Sequence, residues 1–416
     1  MVKAIILAAG EGTRLRPITE TRPKSMIPIL CKPILEWHIN ALFRAGVEEI
    51  YVVVGYLKEH ILRFLSSRGF YNGRVKVIEQ GDLKGTGDAM LKATSEIGYG
   101  DEVVITYADL FIEDWDIISR LTREQENTVL GVVVENPRDY GVLYTRDHYL
   151  LRVVEKPDEP KSNLVNAGIY KLSTTDILEN KDIEPSPRGE IEATDLLNKI
   201  TSKKPIRIAL YEKKWIDIGK PWHVIDANKV ALRNIIRLVR GKILEPVYID
   251  GDIFIDEDTT IYPYSTIQGP VYIGRNVEIG PNAYIRPWSV ICDYSKIGFS
   301  VEVKESIIFE NVHAHHLAYI GDSVICENTN LGAGTILANL RHDEKTVKMM
   351  VKNLLEDTGR RKLGAIIGAN VKTGVNVSIM PGVKIGSYSW ILPGTVVYRD
   401  VERNTIYPQY TKNKHE

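Results

Sequence analysis

Short runs of β-branched residues alternate with helical patterns along the first half of the chain. IILA at 5–8, IYVVVG at 50–55, VKVIEQ at 75–80 and EVVITY at 102–107 read as strands buried on both faces. Between them, 33–46 and 57–68 place apolar residues at helical spacing. Further strand-like runs occupy 127–135, 150–156, 164–172 and 206–211. Strands alternating with helices predict βαβ units, so this half reads as a Rossmann-like α/β domain whose later strands make the sheet mixed. WHVIDANKVALRNIIRLVR at 222–240 then reads as one amphipathic helix closed by Gly241, a natural connector.

Beyond that helix the period becomes six. Ile249, Ile255, Ile261, Ile267, Ile273, Ile279, Ile285, Ile291, Ile297 and Val303 fall at consecutive six-residue steps. Ile367, Thr373, Ile379, Ile385, Ile391 and Val397 resume the step. This is a hexapeptide repeat, and it predicts a left-handed parallel β-helix whose stacked branched residues form one continuous core. The register slips between about 305 and 331. The charged segment 341–362 has no repeat and reads as a loop projecting from the coil. The expected division is therefore a domain over 1–225, a connector helix over 226–242 and a β-helix over 243–416.

Composition narrows the choice of partners. At 416 residues two domains are expected, and 44% hydrophobic with 26% charged residues is an ordinary globular balance. A net charge of −1 excludes nucleic acid as the main partner, so an anionic substrate must be met by local cations. The opening MVKAIILAAG is too short for a membrane span or signal peptide, and no membrane partner is expected. Cys31, Cys292 and Cys326 lie far apart without metal-ligand spacing. They read as free thiols of a protein in the reducing cytoplasm.

The candidate chemistry of the first half begins in LAAGEGTRLRPITETRPKSMIPI at 7–29, directly after the first strand. Glycines there let the backbone approach phosphates closely, and Arg14 and Lys24 supply positive charge. Asp109 ends a strand in ITYADL and Asp217 stands in WIDIG. Two such carboxylates suit Mg²⁺, which accepts one or two protein carboxylates together with substrate phosphates. Together with EQGDLKGTGDAM at 79–90, DYGVL, EKP and VNAGIY, these segments resemble, in order, the sugar-1-phosphate nucleotidyltransferase family. That family includes glucose-1-phosphate thymidylyltransferase and N-acetylglucosamine-1-phosphate uridylyltransferase.

The resemblance spans residues 3–225 and implies roles. Leu7, Ala8, Ala9, Gly10, Gly12 and Thr13 would line the nucleotide, and Gln80, Gly85 and Thr86 would meet the base. Gly141, Glu155, Lys156 and Asn166 would contact the sugar and its phosphate. Arg14 and Lys24 would act in catalysis, and Asp109 and Asp217 would hold Mg²⁺. Ala108 stands where the family usually has Gly, and WxDxG is closer to the thymidylyltransferase branch, so both UTP and dTTP stay open as donors to a hexose or hexosamine 1-phosphate.

In the second half, HAHHLAYIGD at 313–322, NLGAGTILAN at 330–339 and Lys345 resemble the acetyltransferase half of the bifunctional glucosamine-1-phosphate acetyltransferase and uridylyltransferase. This implies His316 as general base, with Arg286, Lys304, Tyr319, Asn330, Asn339 and Lys345 holding the substrate. Acetyl-CoA would be the co-substrate and a homotrimer the assembly. Arg286 and Lys304 are eighteen residues apart, one turn of a three-sided coil, where two cations repel unless an anion sits between them. Val375 and Pro393 stand where that family usually has Ser and Ala, and 341–362 is longer than its counterpart. Two alternatives remain: a nucleotidyltransferase whose β-helix only assembles trimers, and a non-catalytic regulatory subunit.

Overall fold

A computed structural model describes residues 2–70, 73–186 and 189–408; the end of the expected β-helix domain, 409–416, lies outside the described residues. The chain forms two compact units. One comprises 1–11, 23–26 and 33–217, the other 12–22, 27–32 and 218–416.

Every strand expected in the first unit is present in one nine-stranded sheet. From one edge, Val75–Glu79, Ile50–Val54, Val2–Ala8 and Glu102–Tyr107 run parallel. Leu164–Ser173 then joins antiparallel to Glu102–Tyr107, and the sheet continues through Thr128–Val133, Arg207–Leu210, Tyr149–Glu155 and Gly141–Arg146. Helices Ile34–Arg44 and Thr86–Ile97 pack against the parallel part. Ile5, Val53, Val103, Ile105 and Tyr170 are buried in its core. A separate pair, Leu110–Ile112 with Trp215–Asp217, is antiparallel and sets Asp217 opposite Leu110. Two carboxylates more than a hundred residues apart in sequence are thereby made neighbours.

In the second unit three parallel sheets of eight, nine and eight strands stack into a left-handed β-helix. The six-step ladder is its core: Ile255, Ile273 and Ile291 pair on one side, Ile261, Ile279 and Ile297 on the next, and Ile267, Ile285 and Val303 on the third. The register slip resolves into two five-residue steps. Val303 is followed in the ladder by Ile308, and Ile320 by Ile325, so both deletions fall at the same corner of the coil. The insertion between Leu337 and Ile366 leaves from that corner too.

Two expectations are corrected here. The connector helix spans His223–Leu232, not 226–242, and Leu238 and Val239 already pair with Phe254 and Ile255 as the first β-helix strand. Gly241 is a coil corner: a Cβ there would meet the Thr259 carbonyl at 2.6 Å. The segment 341–362 is not merely a projecting loop. Lys348–Val351 and Leu354–Asp357 form an antiparallel hairpin, and Val347, Met349 and Val351 alternate into a buried face.

A third correction concerns cysteine. Cys31 and Cys292 are joined in a disulfide, and only Cys326 is free and buried. Residues 12–22 and 27–32 pack with the coil, which the spacing of cysteines along the chain does not reveal. Arg22 is held between Glu310 at 2.6 Å and Glu327 at 2.7 Å, over the ring of Phe309. The Ser387 amide donates to Glu20, and the Leu30 amide to Asn228 on the helix. No helix among the described residues is long and apolar enough to cross a membrane.

Candidate active sites

In the first unit, Lys24 bridges the two acidic candidates. Its ammonium is hydrogen-bonded to Asp109 Oδ2 and lies 3.7 Å from Asp217 Oδ1. Asp109 follows directly on the parallel strand Glu102–Tyr107, the end at which open α/β sheets place ligands. Its second oxygen, Oδ1, is buried without a hydrogen-bond partner. An orphaned, buried carboxylate oxygen costs free energy unless something fills its place. Among the described residues no three His, Cys, Asp or Glu side chains converge as a ready metal cage. Two carboxylates with one unsatisfied oxygen fit Mg²⁺, which completes its shell from phosphates and water.

Helix Ile34–Arg44 supports this strand end through His38. One ring nitrogen, Nε2, is 2.9 Å from the Leu110 carbonyl, and Nδ1 is 2.9 Å from the Thr106 hydroxyl. The carbonyl can only accept, which makes Nε2 a donor, and in the neutral ring Nδ1 accepts from the Thr106 hydroxyl. Burial drives the imidazole pKa down to about 4.

The base-recognition candidates form a second cluster. Gln80 is buried, and its amide donates to the Gly85 carbonyl at 2.9 Å and to Asp88 at 3.0 Å. Gly85 has φ +103°, and a Cβ there would meet the Ile191 carbonyl at 2.5 Å, so both conformation and space require glycine. The Thr86 hydroxyl accepts from the Ala193 amide.

The sugar candidates lie along the antiparallel strands. Glu155 pairs in register with Gly141, and Lys156 Nζ is 3.4 Å from Glu155. Asn166 donates to the Tyr170 hydroxyl at 2.7 Å, and Tyr170 donates to Tyr107 at 3.0 Å. Burial raises both phenols, so they stay neutral donors. Sequence reasoning missed Tyr107, Tyr170 and Asp88. The tyrosine two residues before Asp109 was the available signal.

Leu7, Ala8, Ala9 and Gly10 also lie in this unit; Gly12, Thr13 and Arg14 belong to the other. There Gly12 has φ +67°, and Thr13–Leu15 is a single 3₁₀ turn. The Thr19 hydroxyl ties down the Gly12 carbonyl at 2.8 Å.

On the β-helix, Lys304 donates to both oxygens of Asp322, at 3.1 and 2.8 Å. Asn339 donates to the same carboxylate and to Tyr319, 3.1 Å away. Three expected residues thus meet around one that sequence reasoning passed over, Asp322. The Arg286 backbone stacks one coil from Lys304, but its guanidinium turns to Glu302 at 2.8 Å. His316 is exposed at the end of strand His313–His316, its ring 6.0 Å from that of His315. Asn330 and Lys345 are also exposed. Among the described residues no side-chain hydrogen bond joins these three to the Asp322 cluster.

Comparison with known proteins covers both halves. The nucleotidyl transferase family model matches residues 3–234, and a GMPPB C-terminal domain model matches 267–353. A bifunctional sugar-1-phosphate nucleotidylyltransferase/acetyltransferase of Sulfurisphaera tokodaii is 47% identical, over 96% of this chain and 98% of that protein. A bifunctional protein GlmU of Methanococcus aeolicus is 44% identical, over 97% and 96%. Among solved structures, a Bacillus anthracis chain described as a glucose-1-phosphate thymidylyltransferase in complex with a sucrose is 27% identical. It aligns with a TM-score of 0.51, over 56% of this chain and 96% of that one. Matched by one family over more than half its length and by a bifunctional relative almost end to end, this chain belongs to the bifunctional sugar-1-phosphate nucleotidylyltransferase/acetyltransferases.

Proposed function

We propose that the first unit, with the loop carrying Arg14, transfers a uridylyl or thymidylyl group to a hexosamine or hexose 1-phosphate. The β-helix, in turn, acetylates the amino group of glucosamine or galactosamine 1-phosphate. The observation that carries the first activity is Lys24 held between Asp109 and Asp217, with one Asp109 oxygen left unsatisfied. A phosphate oxygen of the sugar phosphate attacks the α-phosphorus of UTP or dTTP, and the bond to pyrophosphate breaks in line. The work of the protein is positioning and charge neutralisation. Mg²⁺ held by Asp109 and Asp217 would lower the repulsion between the two phosphates. Arg14 and Lys24 neutralise the triphosphate, with Leu7, Ala8, Ala9, Gly10, Gly12 and Thr13 along the nucleotide. Gln80, Gly85 and Thr86 read the pyrimidine edge. Gly141, Glu155, Lys156 and Asn166 hold the sugar.

For acetyl transfer, the cluster of Lys304, Tyr319 and Asn339 around Asp322 supports an acceptor site. His316 takes a proton from the amine as nitrogen attacks the thioester carbonyl of acetyl-CoA. The carbon–sulfur bond breaks, and the thiol leaves carrying a proton. Arg286, Asn330 and Lys345 complete acceptor binding. A three-sided coil with flat faces suits a cyclic trimer, whose neighbour would finish the coenzyme site. Both cosubstrates are cytoplasmic metabolites, which supports a cytoplasmic enzyme.

The test supplies the full-length protein with acetyl-CoA, each hexosamine 1-phosphate and UTP or dTTP, following thiol and pyrophosphate release separately. Pyrophosphate without thiol would leave a nucleotidyltransferase with a purely structural β-helix. Thiol without pyrophosphate would overturn the first assignment.

A further inference from the structure

The corner where the coil loses two residues and gains the hairpin also holds a cavity of about 340 Å³. Three separate pieces of chain line this open pocket. Lys304, Glu305 and Asp322 come from the two shortened corners, Lys229 from helix His223–Leu232, and Arg360, Arg361 and Lys362 from the base of the hairpin. Five cations and two carboxylates line it, and Arg361 is also paired with Glu344.

Glu305 is the hub. Lys229 is bonded to it, Arg360 lies 2.9 Å away and Lys304 3.6 Å away. Burial would raise the Glu305 pKa, but the three cations hold it below the usual carboxylate range. Glu305, Asp322, Asp226 and Glu344 together offset four of the five lining cations and leave one positive charge in excess. Asp322 engages Lys304, and Asp226 engages Arg360. The Arg360 guanidinium is 15% exposed, and its Nε is buried without a hydrogen-bond partner. Arg360 already holds Asp226 and Glu305 through its two terminal nitrogens, so what favours a small anion here is the residual positive charge of the lining. The cavity also adjoins the acceptor cluster, because Asp322 lines it while accepting from Asn339.

We propose that this cavity binds the phosphate of the acetyl acceptor, with Arg360 and Lys229 as additional phosphate-binding residues beside Lys304. The hairpin insertion is thus part of the acceptor site. The inference rests on the acetyltransferase reading for the identity of the ligand, but not for the existence of the anion site.

The test uses full-length protein and titrates inorganic phosphate by calorimetry into wild type, Arg360→Gln and the exposed pair Arg361→Ala/Lys362→Ala. Phosphate affinity is expected to fall about 10-fold or more in Arg360→Gln and several-fold in the pair, as for lost charge-assisted contacts. The KM for hexosamine 1-phosphate in acetyl transfer should rise in step, with the KM for acetyl-CoA unchanged. Unchanged phosphate affinity in folded Arg360→Gln overturns the site; if that variant fails to fold, unchanged affinity in the exposed pair does so. Weakened phosphate binding with an unmoved acceptor KM overturns the acceptor assignment. Weakened binding in a protein that never acetylates upholds the anion site and overturns the acetyltransferase reading instead.

Discussion

Lys304 and Asp322 sit one coil apart at the shortened corner, joined by two hydrogen bonds of 3.1 and 2.8 Å, with Asp322 only 1% exposed. The same carboxylate orients Asn339. Asp322→Asn keeps the shape and removes the charge. It is expected to raise the acceptor KM in acetyl transfer by about 10- to 100-fold while sparing pyrophosphate release. Asp322→Ala leaves the Lys304 ammonium with Glu305 alone, 3.6 Å away, and should cost about 1–3 kcal/mol of stability, read from denaturant unfolding. An unchanged KM in Asp322→Asn would show that the pair is only structural.

Asp109→Asn should abolish pyrophosphate release and leave thiol release from acetyl-CoA nearly unchanged, because Asp109 belongs to the first unit and all the acetyl-transfer candidates to the second. Parallel assays on the folded variant decide it. Comparable loss of both activities would sink the two-site assignment.

Replacing His316 by Ala should lower acetyl transfer by about 10²–10⁴-fold, the range for losing a general base. His313→Ala and His315→Ala act as controls on the same strand. Equal losses in all three, or in none, would remove His316 from the role.

His38 sets a pH dependence on the first unit. Its folded pKa is about 4, well below the 6.5 of an unfolded chain, so the unfolded state binds more protons between these values. This contribution to stability is intact above pH 6.5 and is lost as pH falls toward 4, by about 3 kcal/mol at the limit. Denaturant melts of wild type and His38→Gln across that window should differ in slope. Identical slopes would mean that the imidazole is protonated in the fold.

Denatured without reductant, the chain should expose one reactive thiol, that of Cys326, and two more after reduction. Three thiols before reduction would contradict the Cys31–Cys292 pair.

Sequence alone determined the local and periodic features of this protein. Runs of Ile and Val predict strands because β-branched residues fit a buried pleated surface, and a strict six-residue step admits little but a three-sided coil. The resemblance of its motifs to a known family likewise named Lys24, Asp109 and Asp217. What it could not supply is every relationship set by contacts distant in sequence. Whether Arg286 faces a ligand or Glu302 depends on a neighbour one coil away. The Cys31–Cys292 pair depends on how residues 27–32 pack against the coil, which no local pattern encodes. The helix ends at Leu232 because Leu238 and Val239 gain more by joining the first sheet of the coil than local propensity offers. Two five-residue steps and one hairpin look like unrelated irregularities along the chain. Only stacking brings them to one corner, where they gather the cations around Glu305.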